Sequence, residues 1–240
     1  MALLVPVLEL VFPARCFGCG APPDALCRSC LSRAVPAAAE PPPPGLDWWV
    51  AAFAYEGAVR EALARVKYRN ARAALPVLAG VLAGHLQKHG PLPVDVVTWP
   101  PTTAARHRQR GFDQAEHLAR AVGCRLGVPV RPCLGRRAGS PQTGRSAAER
   151  RRALAFDPAP GCRSVPGLRV LVVDDVATTG ATLVSAAATL RGAGAAGVAA
   201  ATVARTPRRV GLKPPGEASS SGADRSGDTQ DGAAASRYQN

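Results

Sequence analysis

Val170 to Leu183 reads V-L-V-V-D-D-V-A-T-T-G-A-T-L, and no other stretch of the 240 residues limits the fold so tightly. Four apolar residues, Val170 to Val173, three of them β-branched, have the composition of a buried strand. Asp174 and Asp175 end that run. Thr178, Thr179, Gly180, Ala181 and Thr182 make a short hydroxyl- and glycine-rich turn, and Leu183 to Leu190 continues with helical spacing and no breaker. The order is strand, tight loop, helix. A loop entering a helix N-terminus presents backbone N–H groups without intrahelical partners and the positive end of the helix dipole, which together hold a phosphate. Gly180 lets the backbone bend and approach closely. The hydroxyls of Thr178, Thr179 and Thr182 add donors, and the carboxylates just upstream suit the hydroxyls of a sugar whose phosphate sits in the loop. The plain alternative is an ordinary strand-to-helix turn with Asp and Thr as caps. Two acids placed directly before T-T-G-A-T make it the weaker reading. No Walker glycine–lysine pattern and no G-x-G-x-x-G accompanies the stretch.

Four of the seven cysteines lie close together as Cys16-x2-Cys19-x7-Cys27-x2-Cys30. Thiolates two residues apart reach one metal ion, and two such pairs complete a tetrahedral four-cysteine zinc site. Disulfides would need an oxidising compartment. Met1 to Phe12 is apolar, but it has no basic n-region and no small-residue cleavage site, and it is too short to cross a bilayer. Zinc is therefore favoured over redox cysteines, Met1 to Phe12 is expected to form a short helix on the knuckle, and the cytoplasm is the expected location. Cys124, Cys133 and Cys162 are scattered, as packing residues are.

Ala34 to Gly45 is rich in Ala and Pro and contains Pro41-Pro42-Pro43-Pro44. This reads as a stiff linker, dividing a knuckle and linker over residues 1–45 from a main domain over residues 46–205. On that division, loss of zinc unfolds the knuckle and leaves the main sheet standing. Trp48 to Tyr55 reads as a strand. Ala58 to Asn70 and Leu75 to His89 read as helices, the second with Leu75, Leu78, Leu82 and Leu86 at three- and four-residue spacing. His85 and His89 are one turn apart, but no third ligand is evident, so a solvated face is the better reading. Pro93 to Trp99 is the next strand, followed by a loop from Thr102 to Gln114 and a helix marked by Ala115, Leu118, Ala119 and Val122. Val128 to Val130 is a short strand. Arg131 to Arg152 is a long polar stretch, functional or disordered in a compact domain. Leu154 to Phe156 is an edge strand and Val198 to Val203 the last strand. Residues 206–240 lose hydrophobic content and read as a disordered tail. Strands alternating with helices predict an α/β fold, a parallel sheet with helices on both faces and ligands at the carboxyl ends of the strands.

A hydrophobic content of 47% sustains a core, and a net charge of +13 carried mainly by arginine suits polyanions, either nucleic acid or a polyphosphate metabolite. Arginine-rich codon usage is the plain alternative. Both basic loops, Arg106 to Gln114 and Arg131 to Arg152, are expected at the ligand edge of the sheet, where a pyrophosphate would need cations.

The core stretch resembles the phosphoribosyl pyrophosphate (PRPP) motif of type I phosphoribosyltransferases. It stands together with the four-cysteine knuckle, Y-E-G-A-V-R-E-A-L-A-R-V-K-Y at Tyr55 to Tyr68 and R-Q-R-G-F-D-Q at Arg108 to Gln114. That combination resembles the ComF family, competence protein FC and its GntX-like relatives, over about residues 8–205. Pro141-Gln142 and Ala155-Phe156 fit the same pattern. Asp113, where the family usually has Asn, and the Arg150 to Arg152 run depart from it. The resemblance implies a type I phosphoribosyltransferase-like sheet plus a small N-terminal zinc knuckle. It implies ribose hydroxyls on Asp174 and Asp175, the 5′-phosphate on Thr178 to Thr182, and magnesium accompanying PRPP. Pyrophosphate would face Arg106, Arg108 and Arg110. Two functions follow. One is a phosphoribosyltransferase that releases pyrophosphate, associated with DNA uptake. The other is a non-catalytic PRPP- or nucleotide-sensing module that binds single-stranded DNA or a helicase partner, although aromatic stacking residues are few.

Overall fold

The structure, a computed structural model, describes residues 15–22, 25–69, 72–90, 93–136 and 156–207. The expected helix at Met1 to Phe12, residues 137–152 of the long polar stretch with Pro141-Gln142, the start of the expected edge strand at residues 154–155, and the tail from residue 208 lie outside the described residues.

The elements in chain order are α1 (Arg28–Ser32), β1 (Trp48–Ala54), α2 (Gly57–Arg69), α3 (Ala74–His89), β2 (Val96–Thr98), α4 (Ala104–Arg110), α5 (Gln114–Leu126), β3 (Leu134–Arg136), β4 (Phe156–Pro158), a 3₁₀ turn (Pro160–Ser164), β5 (Arg169–Ala177), α6 (Ala181–Gly192) and β6 (Gly197–Arg205). Four strands form a parallel sheet in the order β1-β6-β5-β2, and β3 pairs with β4 as a separate antiparallel ribbon.

The central strands are apolar on both faces, as a doubly covered parallel sheet requires. Along β5, Leu171 and Val173 enter one core while Val170 and Val172 enter the other, the period-two alternation of a strand. Ala199, Ala201 and Val203 of β6 join the first core, Val198 and Ala200 the second. On the first face lie α3, through Leu75, Leu78, Leu82 and Leu86, and α5, through Leu118, Ala119 and Val122. On the second face lie α6, through Leu183, Ala186, Ala187 and Leu190, and the ribbon, through Leu134 and Phe156.

Several expectations need correction. Thr102 to Gln114, read as a loop, contains helix α4. Thr103 caps it by accepting from the Arg106 N–H at 3.2 Å, and Gly111 ends it with φ 73°. A-A-R-H-R-Q-R forms a helix with no buried residue, so no apolar stripe announces it. Of Val128 to Val130, only Val130 bridges β2, at Val97. The proline-rich segment is not a free spacer. Pro36 bridges Phe53, and the Ala54 N–H donates to the Val35 carbonyl at 2.8 Å, so this stretch covers the outer edge of β1. Leu46 is buried in the second core. Cys16, Leu26 and Cys30 share the first core with Phe53, Val59 and Leu63, so the knuckle is packed onto the sheet domain rather than held away from it.

Candidate active site and metal centre

Helix α5, which follows β2 and the short α4, lies on one face of the sheet, and the helix after β5, α6, lies on the other, although β2 and β5 are neighbours. Chain segments leaving these two strands therefore diverge and open a crevice at their carboxyl ends, the usual ligand position in such a sheet. Pairing of β2 ends at Thr98 with Val172, so β5 runs on past its neighbour as far as Ala177. The acids were expected where the strand turns into the loop, but they lie inside β5. The missing neighbour is what lets both carboxylates reach the crevice. A cleft of about 280 Å³ lies there.

Asp174 and Asp175 line this cleft together. The Asp175 N–H donates to Asp174 Oδ1 at 2.8 Å, and Lys67 Nζ sits 2.8 Å from Asp175 Oδ2. Burial first, and then the charge of Asp175, push the Asp174 carboxyl well above the usual carboxylate range. Facing the acids are Arg106 and Arg110 of α4 and Arg136 of β3. Burial, and then the charge of Arg106, pull the Arg136 guanidinium down, while Asp113 and Asp174 oppose this. Cations crowded in this way gain from a bound polyanion.

Thr182, in the first turn of α6, also lines the cleft. Gly180 precedes the helix with φ 75°, the left-handed region that favours glycine, and as N-cap residue it has no side chain to cap the helix. The Ala181 N–H donates to Thr179 Oγ1 at 3.4 Å. Thr178 and Thr179 are exposed beside the cleft and, like Gly180 and Ala181, are not part of its lining. Arg106 and Arg110 are one turn apart and share a face of α4. Arg108, two residues from each, is exposed and outside the lining.

Sequence reasoning passed over Lys67 and Tyr68 at the end of α2 and Thr102 as lining residues, and it did not single out Asp113, Gln114 and Arg136 within the basic stretches it expected at this edge. Lys67 and Tyr68 close the Tyr55 to Tyr68 motif, where a polar pair breaking an apolar helical face was the available signal. Asp113 has a structural task. It caps α5 by accepting from Ala115 N–H at 3.0 Å, and it ties down the segment after β2 by accepting from Thr102 N–H at 2.7 Å. Burial pushes its carboxyl up in spite of these donors. Arg110 donates to Gln114 Oε1 at 2.9 Å and lies 6.0 Å from the Tyr68 ring centre.

The sulfurs of Cys16, Cys19, Cys27 and Cys30 all lie within 4.8 Å of one another, with Cys19 and Cys27 Sγ 3.7 Å apart. A tetrahedral zinc with bonds of about 2.3 Å sets its sulfurs roughly 3.8 Å apart, so the donor set fits zinc. Burial raises the Cys16 thiol, but N–H groups of Cys27, Cys19 and Gly18 outweigh it and hold it at about 6. Burial, with the neighbouring Cys16 sulfur, pushes Cys30 up to about 12. Gly18 fits against α2 because a Cβ there would lie 2.6 Å from Ala58 Cβ and 2.8 Å from Cys30 Sγ.

Residues 108–219 match the sequence model of the phosphoribosyl transferase domain. No characterised protein matches the chain significantly by sequence. Among solved structures, glutamine phosphoribosylpyrophosphate amidotransferase from B. subtilis, complexed with ADP and GMP, is similar over 55% of this chain and 26% of its own, with 24% identity and a TM-score of 0.40. Leishmania donovani UMP synthase is similar over 61% of this chain and 23% of its own, with 20% identity and a TM-score of 0.32. Trypanosoma cruzi hypoxanthine phosphoribosyl transferase is similar over 57% of this chain and 73% of its own, with 18% identity and a TM-score of 0.32. The chain thus spans about a quarter of the length of the amidotransferase and of the UMP synthase. No helix among the described residues is long and apolar enough to cross a membrane. The sheet order, the helices on both faces and the domain match together give the chain a type I phosphoribosyltransferase-like fold with an N-terminal four-cysteine cluster able to hold a metal.

Proposed function

We propose that this chain binds PRPP in the cleft at the ends of β2 and β5 and transfers its phosphoribosyl group with release of pyrophosphate. One observation carries the reading: a single cleft brings together the Asp174–Asp175 pair, the first turn of α6 at Thr182, and Arg106, Arg110 and Arg136. A sugar bearing two phosphate groups needs acceptors for its hydroxyls and donors for its phosphates, and the cleft supplies both.

Asp175, held in place by its contact with Lys67, accepts from ribose hydroxyls. The α6 start and its threonines take the 5′-phosphate. Arg106, Arg110 and Arg136 face the pyrophosphate. As the C1–O bond breaks, its electron pair goes to the pyrophosphate oxygen and positive charge develops on the ribose. The arginines stabilise the first and the acids the second. Asp174 and Asp175 offer the hard oxygen donors that would hold magnesium carried in with the ligand, and that ion would neutralise pyrophosphate charge. The acceptor's lone pair then completes the bond at C1. Incubation with radiolabelled PRPP, magnesium and a panel of nucleobases, amines and nucleic acids tests transfer. Pyrophosphate release with one acceptor class is expected, and none with any class refutes transfer.

The ComF resemblance extends the proposal to DNA uptake. Every residue of α4 from Ala104 to Gln109, including Arg106, His107 and Arg108, is exposed, a basic surface fit for single-stranded DNA or a helicase-bound strand. On this second reading the cleft senses PRPP or a nucleotide without catalysis. It requires DNA binding with a steep salt dependence that Arg108→Ala flattens. Salt-independent binding, or none, counts against it.

A further inference from the structure

We infer that Lys67 is a built-in counter-cation for the carboxylate pair, standing at Asp175 where a free divalent ion would otherwise sit, so that metal enters this cleft only together with a phosphorylated ligand. The identity of that ligand rests on the phosphoribosyl reading; the role of Lys67 rests on its own contact.

Lys67 follows Val66, which is buried in the first core, so its backbone is anchored by packing. Its Nζ lies 2.8 Å from Asp175 Oδ2, and the two side chains are 20% and 13% exposed. The Arg65–Glu61 pair on the same helix, at 39% and 57%, shows what an ordinary solvated pair looks like. The Lys67–Asp175 contact is held at the cleft wall, where water screens it far less. It occupies one oxygen of Asp175, and the Asp175 N–H occupies Asp174 Oδ1. The cleft wall carries Lys67, Arg106, Arg110 and Arg136 against Asp113, Asp174 and Asp175. A bare divalent cation needs several free oxygen ligands and net negative charge, and here one oxygen of each acid is already taken and four cations stand against three carboxylates. A magnesium already carried on pyrophosphate arrives within an anionic complex, which the same field attracts. Lys67 also holds Asp175 oriented for sugar hydroxyls before any metal is present.

Mn²⁺ alone is the probe, with free ion read by electron paramagnetic resonance. Lys67→Met should bind Mn²⁺ about ten-fold more tightly than the parent or better, since a repulsive charge at the cleft wall is gone. Lys67→Arg should stay at the parent's affinity. Should Lys67→Met not fold, Lys67→Gln, which keeps a donor for Asp175 but no charge, carries the same expectation. Equal Mn²⁺ affinity in the parent and the uncharged variants, or tightening in Lys67→Arg, overturns the inference. Calorimetry with PRPP on the parent separates the two claims: failure to bind PRPP refutes the phosphoribosyl reading and leaves the Mn²⁺ comparison to decide Lys67.

Discussion

Asp174 binds a proton more readily in the fold than in the unfolded chain, because burial and the Asp175 charge both oppose its ionisation. Its contribution to stability is therefore fully present below the ordinary carboxylate pKa of about 3.9 and is lost as pH rises through the raised folded value. Asn resembles the protonated acid in shape. Asp174→Asn should raise the unfolding temperature of the ligand-free, metal-free protein near neutral pH and change it little at about pH 4. A pH series of thermal unfolding checks this, and equal gains at both ends would contradict it. The arginines separate by position in the same way. Arg106→Ala and Arg110→Ala should each weaken PRPP binding by about 1.5–3 kcal/mol, and ribose 5-phosphate binding much less, because their charge faces the cleft. Arg108→Ala should leave both unchanged, since Arg108 is exposed and outside the lining. Competition binding with the two ligands measures the difference.

Helix starts and strand ends place these residues, and the strand–loop–helix from β5 to α6 was the most legible part of the sequence. Four apolar residues, two acids and a T-T-G turn leave few other structures open. Gly180 is the hinge of that element. In its left-handed conformation a Cβ is strained, so Gly180→Ala should cost about 1–2 kcal/mol of stability and weaken ribose 5-phosphate binding as the loop shifts. Denaturant unfolding and calorimetry of that one variant check both parts. Helix α4 was not legible, because its seven residues bury nothing and periodicity reports only burial. The same blindness hid the difference between Arg108 and its neighbours: three arginines spaced by two look alike until a helix turns the middle one away. Arg136 falls in the basic stretch expected at the ligand edge, but only the pairing of Leu134–Arg136 with Phe156–Pro158 singles it out for the cleft. Leu154 to Phe156 reads as an edge strand, but nothing in the chain pairs it with Leu134–Arg136.

At the scale of the whole molecule, the knuckle and the sheet share one core, and the linker expected between them covers the edge of β1 instead. Four consecutive prolines suggest a spacer only while nothing shows what they pack against. In the fold, a Cβ on Gly180 would lie 3.4 Å from Pro43, and Glu40 forms an ion pair with the buried Arg205 at the end of β6. Zinc removal should therefore lower the stability of the entire domain in a single calorimetric transition, since thiolate ligation couples metal to folding. Two separate transitions after chelation would show the knuckle to be independent. The central claim concerns the cleft that this packing supports, and isothermal calorimetry with PRPP and magnesium tests it most directly. The parent should bind one PRPP per chain, and Asp175→Asn should weaken that binding by about 1–3 kcal/mol, one or two decades in affinity, while remaining folded. No saturable binding by the parent, or binding by Asp175→Asn equal to the parent's, would contradict the account.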